Sequence, residues 1–281
     1  MDENTIDWNK VWKNQMLKNI ESKCAVECAR VWNNKERATQ YWNAVQNNKE
    51  QNQKTIEGLA LTPDSRILDI GAGPGTLTIP ISPQVTHVTA VEPSEGMMGV
   101  LQDNIAEYDA DNITCVQKRW EDVEIEADLD GPYDVVIASY SLGMPDIRES
   151  IQKMIDASSR YVYLYWFAGP PSWDTNYKAL WPSLHEGDYH PSPNCDVIYN
   201  VLYQMGIYPH MQVFPVNHFN RFQSIEEAVE HFRSYYNITT DHQESVLKSY
   251  LEDVLEKDDN SLVMNGSYTS VKMWWEKQTG E

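Results

Sequence analysis

Apolar residues recur at helical spacing from residue 5 to about 58: Trp8, Trp12 and Ile20 share one stripe, and Tyr41, Trp42, Val45, Ile56 and Leu59 share another. Pro63, in "LTPD", closes this helical region. The period then changes. "RILDI" (66–70), "HVTAVEP" (87–93), "ITCVQ" (113–117), "YDVVIASY" (133–140) and "YVYLYWF" (161–167) are short apolar runs rich in β-branched and aromatic residues, separated by stretches of helical character. Strands alternating with helices predict a mostly parallel sheet covered on both faces.

From Gly169 the pattern breaks. "GPPSWDTNYKALWPSLHEGDYHPSPNCD" has five prolines, many aromatics and no sustained period, and its length suggests an insertion or lid rather than a plain connection. A helix ("DVIYNVLYQMGI"), a strand near 210–216 and helices near 224–236 and 241–256 are expected next. The end reads as a hairpin turning at Asn265-Gly266, a dipeptide suited to the positive φ angles of a two-residue turn. The expected layout is a helical cover (1–61), an α/β core (62–168), an aromatic and proline-rich insertion (169–208) and the remaining sheet with its helices (209–281).

Composition narrows the setting. The 281 residues suit one large α/β domain with attachments, or two small ones. No run of about 18 apolar residues exists, and "MDENTIDWNK" lacks the layout of a signal peptide, so a cytoplasmic protein without a membrane span is expected. The formal charge of −20 sits beyond residue 60, since residues 1–60 sum to +1. A body this negative repels phosphate backbones and argues against a nucleic-acid substrate, though solubility or a salty cytoplasm would account for it equally. Cys24, Cys28, Cys115 and Cys195 are too few and scattered for a disulfide scaffold. Cys24 and Cys28 share a helix face without further ligands and read as small buried hydrophobes. His185, His190 and Cys195 lack an obvious fourth ligand, so no metal site is expected.

The informative stretch is "LDIGAGPGTL" (68–77), a glycine-rich turn straight after a strand. A P-loop would place Lys-Ser/Thr after Gly75, and none is there. The dinucleotide fingerprint asks for glycine at the sixth place, which is Thr76. What remains is Asp69 followed by Gly71, Gly73 and Gly75, and this D-x-G-x-G-x-G resembles the class I S-adenosylmethionine-dependent methyltransferases. The resemblance covers roughly residues 62–168. It implies a Rossmann-like seven-stranded sheet with an antiparallel pair at its C-terminal edge, S-adenosylmethionine as cofactor and S-adenosylhomocysteine as product.

It also implies a set of binding positions. Asp69 and Gly71 would meet the methionine end, with Ala72, Gly73, Gly75 and Thr76 completing the loop. Glu92, at the end of the second strand, would accept from the ribose hydroxyls, with Pro93 and Ser94 beside it and Met97 or Met98 near the adenine. The sequence departs from the family at the third strand, where Arg119 occupies the place of a common acid and cannot accept a hydrogen bond. Trp120 is then a candidate to stack on the purine, and Glu121 or a backbone carbonyl to take its amino group, with core packing of Trp120 as the alternative. Ser139 and Tyr140 end the fourth strand where the family faces the cofactor.

Methyl transfer from a sulfonium is an in-line displacement that needs a base only when the acceptor carries a proton. His185 and His190, among Trp173, Trp181 and Tyr189, are candidate bases, with surface histidines as the alternative reading. Tyr140, Tyr165 and Trp166 could contact substrate or the sulfonium through their ring faces, and Tyr41 and Trp42 could cover the cofactor. Core packing competes in each case. The expected acceptor is a small organic molecule. A protein side chain, or cofactor binding without catalysis, are the alternatives.

Overall fold

The computed structural model describes residues 6–22, 32–46 and 49–277, so Cys24 and Cys28 lie outside the described residues. Three helices lead: α1 (Trp8–Ser22), α2 (Lys35–Gln46) and α3 (Lys49–Glu57). The core alternates β1 (Arg66–Ile70), α4 (Thr78–Ile81), β2 (His87–Val91), α5 (Glu95–Glu107), β3 (Ile113–Val116), α6 (Ile125–Asp128), β4 (Tyr133–Ser139), α7 (Ile147–Ala157) and β5 (Ser158–Phe167). Then follow α8 (Ser172–Leu184), α9 (Cys195–Gln204), β6 (His210–Phe222), α10 (Ile225–Arg233), α11 (Asp241–Val254), β7 (Glu256–Asp258) and β8 (Ser261–Glu276).

The strands form one sheet in the order β3-β2-β1-β4-β5-β8-β6. The first five are parallel, and β8 and β6 add an antiparallel edge. The central strands are largely apolar because helices cover both faces; Ile67, Leu68, Val135, Val136 and Ile137 are all fully buried. Among the described residues the sheet has eight strands rather than the expected seven. The eighth is β7, three residues that pair with Ser261, Leu262 and Val263 of β8. At 16 residues β8 outruns β5, which pairs only its last seven, so β7 covers part of the edge left over.

The terminal hairpin differs from expectation. Asn265 and Gly266 do not turn; they pair with Phe219 and His218 of β6 inside a continuous strand. A turn dipeptide reverses the chain only when its two flanks pair with each other, and here both flanks pair with β6. The reversal lies earlier, between β7 and β8, where Asp259 takes a φ of 51°.

The insertion is not an aperiodic lid either. Its helix α8 joins α10 and α11 in a second core around Tyr177, Trp181, Phe222, Leu247 and Leu251. Its helix α9 buries Val197, Ile198, Val201 and Leu202 in the main core, beside Trp12 of α1. Two of the insertion's five prolines, Pro191 and Pro193, lie in the link between these helices, two precede α8 and Pro182 lies inside it. No helix among the described residues is long and apolar enough to cross a membrane.

Candidate cofactor and acceptor site

In a parallel sheet every strand delivers its last residue to the same edge, so the turns after β1, β2 and β4 meet there. After β1 the glycine loop bends over the end of β2, with Gly71 and Ala72 both donating their N–H to the Val91 carbonyl (2.8 and 3.1 Å). Gly71, Gly73 and Gly75 have φ of +72°, +58° and +91°, a region that side chains disfavour. Their surroundings differ. A Cβ on Gly75 would meet Leu101 Cδ1 at 2.7 Å, so that glycine lets α5 pack against the loop; a Cβ on Gly73 would meet nothing within 4 Å. Gly73 therefore turns a bare backbone toward open space. Asn104 donates to the Pro74 carbonyl (2.8 Å) and Asn52 of α3 to the Thr76 carbonyl (3.3 Å), pinning the loop from behind and from above.

Two carboxylates flank this opening. Asp69 is 2% exposed and accepts one hydrogen bond, from Thr78 (2.6 Å). Burial pushes its carboxyl up to about 6, against the lowering effect of Thr78. Glu92 is buried and accepts from the N–H groups of Gly73 (2.9 Å) and Ser94 (2.8 Å). Its carboxyl also lies above the ordinary range, first through burial and further through the charge of Asp69, while the two N–H groups hold it down. No lysine or arginine among the described residues contributes to either shift. Two buried carboxylates at neighbouring strand ends, with no lysine or arginine among the described residues acting on either, favour a positively charged ligand over a pyrophosphate.

Ser94 caps α5 by accepting from the Met97 N–H (3.3 Å), which aims Pro93 and Ser94 along the cleft. Met97 and Met98 are buried with Ala72 and Trp42 in one cluster, which seats α2 on α5. At the end of β4, Ser141 donates to the Ile70 carbonyl (2.5 Å) and fills the space beside Gly71. Tyr140 just before it holds a φ of 53°, a strained conformation for a bulky residue of the kind that gathers at functional sites. Its hydroxyl bonds Ser270 of β8 (2.6 Å), and burial raises its pKa.

A methyltransferase-domain family model matches residues 41–187, a little over half of the chain. The chain belongs to that family. A Haemophilus influenzae protein of uncharacterised function is 31% identical over 113 residues, covering 40% of this chain and 41% of that protein. The protein-L-isoaspartate O-methyltransferase of Erwinia tasmaniensis is 32% identical over 98 residues, covering 35% and 45%. The matched chain spans less than half the length of these curated relatives. Among solved structures, a Bacillus halodurans chain provisionally assigned as a methyltransferase superposes with a TM-score of 0.57 at 15% identity, covering 81% of this chain and 99% of that one, a likeness of fold.

The family's cofactor is S-adenosylmethionine, and the residues present fit it. The open backbone at Gly73 admits a ligand at van der Waals distance. Asp69 and Glu92 keep unused lone pairs for an ammonium and for ribose hydroxyls. Both would gain from the positive charge that a sulfonium and an ammonium bring.

The structure places Asp69, Gly71, Ala72, Gly73, Gly75, Thr76, Glu92, Pro93 and Ser94 at the C-terminal ends of the paired strands β1 and β2, with Ser139 and Tyr140 at the end of the neighbouring β4. Trp120 is a correction. It is 3% exposed, its indole N–H donates to the Ser150 carbonyl (3.1 Å), and the Lys153 ammonium lies 5.6 Å from its ring. Its faces are spent on the core, which leaves none for a purine. Arg119 and Glu121 pair with each other (3.1 Å).

The two histidines do not converge on the loop. His185 bonds the Tyr236 carbonyl through Nε2 (2.7 Å) and lies against Trp181 in the second core. His190 is exposed, and among the described residues Asn19 and Ser22 engage its backbone. Tyr165 is buried in the core, and Trp166 donates to the Pro193 carbonyl (2.8 Å) and packs on Trp12. What sequence reasoning missed is a cluster beside Tyr140: Phe167 (ring centroids 5.2 Å apart), Tyr268 (5.6 Å), Trp173 and His218. These residues come from β5, α8, β6 and β8, and only the pairing of β8 with both β5 and β6 assembles them.

Proposed function

We propose that the protein transfers a methyl group from S-adenosylmethionine to a small organic acceptor held between the glycine loop and the aromatic cluster at the end of β4 and β5. The observation that carries the reading is the position of α2. On one side Trp42 buries itself against α5, and Lys35 pairs with Asp103 (2.6 Å). On the other, Arg37 donates to Ser234 just beyond α10 and lies over the Tyr235 ring (4.9 Å). The helix thus spans from the cofactor side of the sheet to the C-terminal helices. A bridge of this kind favours an acceptor small enough to fit beneath it over a polymer.

The bound cofactor supplies an activated methyl group, and the chain supplies position. Asp69, Glu92 and the loop hold the donor. Tyr140 fixes the wall that the acceptor meets, and the bridge of α2 keeps water out. Such alignment contributes up to about 7–11 kcal/mol to a displacement. A protein acceptor is the second reading, favoured by the name of the Erwinia relative.

The test is a cell extract divided at about 1 kDa and incubated with the whole chain and methyl-labelled S-adenosylmethionine. Label in the small fraction supports the reading; label in protein or RNA alone overturns it in favour of a macromolecular acceptor.

A further inference from the structure

His218 of β6 lies opposite Gly266 of β8. A Cβ at position 266 would come within 2.3 Å of His218 Nε2, so the bare glycine is what lets the imidazole lie over the strand. Trp173 (5.6 Å) and Tyr268 (6.1 Å) flank the ring. Its Nδ1 is buried and has no hydrogen-bond partner among the described residues. Leaving such a group unsatisfied costs about 1–3 kcal/mol and calls for an explanation.

Tyr268 stands among Tyr140 (5.6 Å), Phe167 (5.4 Å) and Trp173 (5.5 Å), meeting each at 61–84°. In edge-to-face contacts the positive rim of one ring meets the negative face of another. The same faces attract an ammonium. All five side chains are half-buried, so part of the cluster reaches the surface, while His218 Nδ1 itself lies beneath it. Charge decides which ligand suits it. The chain carries 42 acidic against 22 basic residues, and Asp69 and Glu92 end neighbouring strands of the same edge. That field repels a phenolate or carboxylate acceptor and draws in a cation.

We propose that the cluster of Tyr140, Phe167, Trp173, Tyr268 and His218 seats an amine as the methyl acceptor, with His218 Nδ1 taking the proton that its nitrogen must lose. The inference rests on the small-acceptor reading above and names the acceptor's class. The amine arrives as an ammonium. Its proton passes to His218 Nδ1, which frees the nitrogen lone pair. That pair forms the new N–C bond as the C–S bond breaks, the C–S electrons staying on sulfur. Positive charge moves from sulfur to nitrogen, and the ring faces stabilise it along the way. Burial lowers the His218 pKa, which keeps the imidazole neutral and able to accept.

The experiment uses the whole chain saturated with S-adenosylhomocysteine, titrated with choline and with its neutral isostere 3,3-dimethylbutan-1-ol, and followed by calorimetry. Choline is expected to bind at least tenfold tighter, and Trp173→Leu or Tyr268→Leu to abolish the preference. Equal affinities, or no binding of either compound while S-adenosylhomocysteine binds, overturn the amine seat. Failure of S-adenosylhomocysteine itself to bind overturns the cofactor reading, and the seat with it. For the proton, labelled methyl transfer to N,N-dimethylethanolamine is expected to fall at least tenfold in kcat in His218→Gln, a larger change than in KM. No transfer by the wild type, or equal transfer by the variant, overturns the role of His218.

Discussion

Asp69 is held ionised at neutral pH against its own preference, and replacing it separates stability from function. Its carboxyl titrates near 6 in the folded chain against an ordinary 3.8. At 1.36 kcal/mol per unit, that difference amounts to about 3 kcal/mol. Because the folded value is the higher one, the stabilising contribution is complete below pH 3.8 and is lost as pH rises through about 6. Asp69→Asn keeps an oxygen for the Thr78 hydroxyl and removes the buried charge. The ligand-free variant is therefore expected to be more stable than wild type at pH 7.5, by up to about 3 kcal/mol, and to lose that advantage near pH 4. Cofactor binding moves the other way. A cationic ligand prefers the ionised carboxyl, so wild-type affinity should rise about tenfold per pH unit below 6 and level off above it, while the variant binds weakly and with a flatter profile. Thermal unfolding and calorimetry across pH 4–8 measure both. A variant no more stable than wild type at pH 7.5, or one that binds S-adenosylmethionine as tightly, would refute the reasoning.

Glu92→Gln can accept through only one oxygen, so one of the N–H groups of Gly73 and Ser94 loses its partner. A stability loss of about 1–3 kcal/mol and weaker binding of S-adenosylhomocysteine should follow, read by denaturant titration and calorimetry. Gly75→Val combines a positive φ with clashes on Leu101 and Ile79, and a loss of more than about 2 kcal/mol is expected in chemical unfolding. Trp42→Ala removes the side chain that seats α2 on α5; stopped-flow release of S-adenosylhomocysteine should then quicken at least tenfold. By contrast Lys35→Ala breaks an exposed ion pair and should change stability by less than about 1 kcal/mol in the same unfolding assay.

Much of the site was legible because it is local. Asp69, the three glycines and Glu92 follow consecutive strands within 24 residues, and a parallel sheet brings those strand ends to one edge whatever the rest of the chain does. The apolar runs located the central strands β1, β2, β4 and β5 because a strand covered on both faces is largely apolar; β3, at the sheet edge and only half-buried, was marked by its β-branched residues. The Trp120 side chain was not legible. Its position after β3 is a matter of order along the chain, whereas the direction of its ring depends on α7 lying beneath it.

The sequence by itself determined the nucleotide-binding half: the period of the strands, the excluded phosphate loop and the two carboxylates. Tertiary structure alone decided the aromatic cluster proposed as the acceptor side. Asn265-Gly266 carries a turn's chemistry, but β6 pairs along its whole length and draws it straight, and Gly266 becomes the gap that admits His218. Tyr140, Phe167, Trp173, His218 and Tyr268 are separated by up to 128 residues and share no local period. Only strand pairing sets them face to face, because a cross-strand neighbour is chosen by register, which no short window of sequence contains.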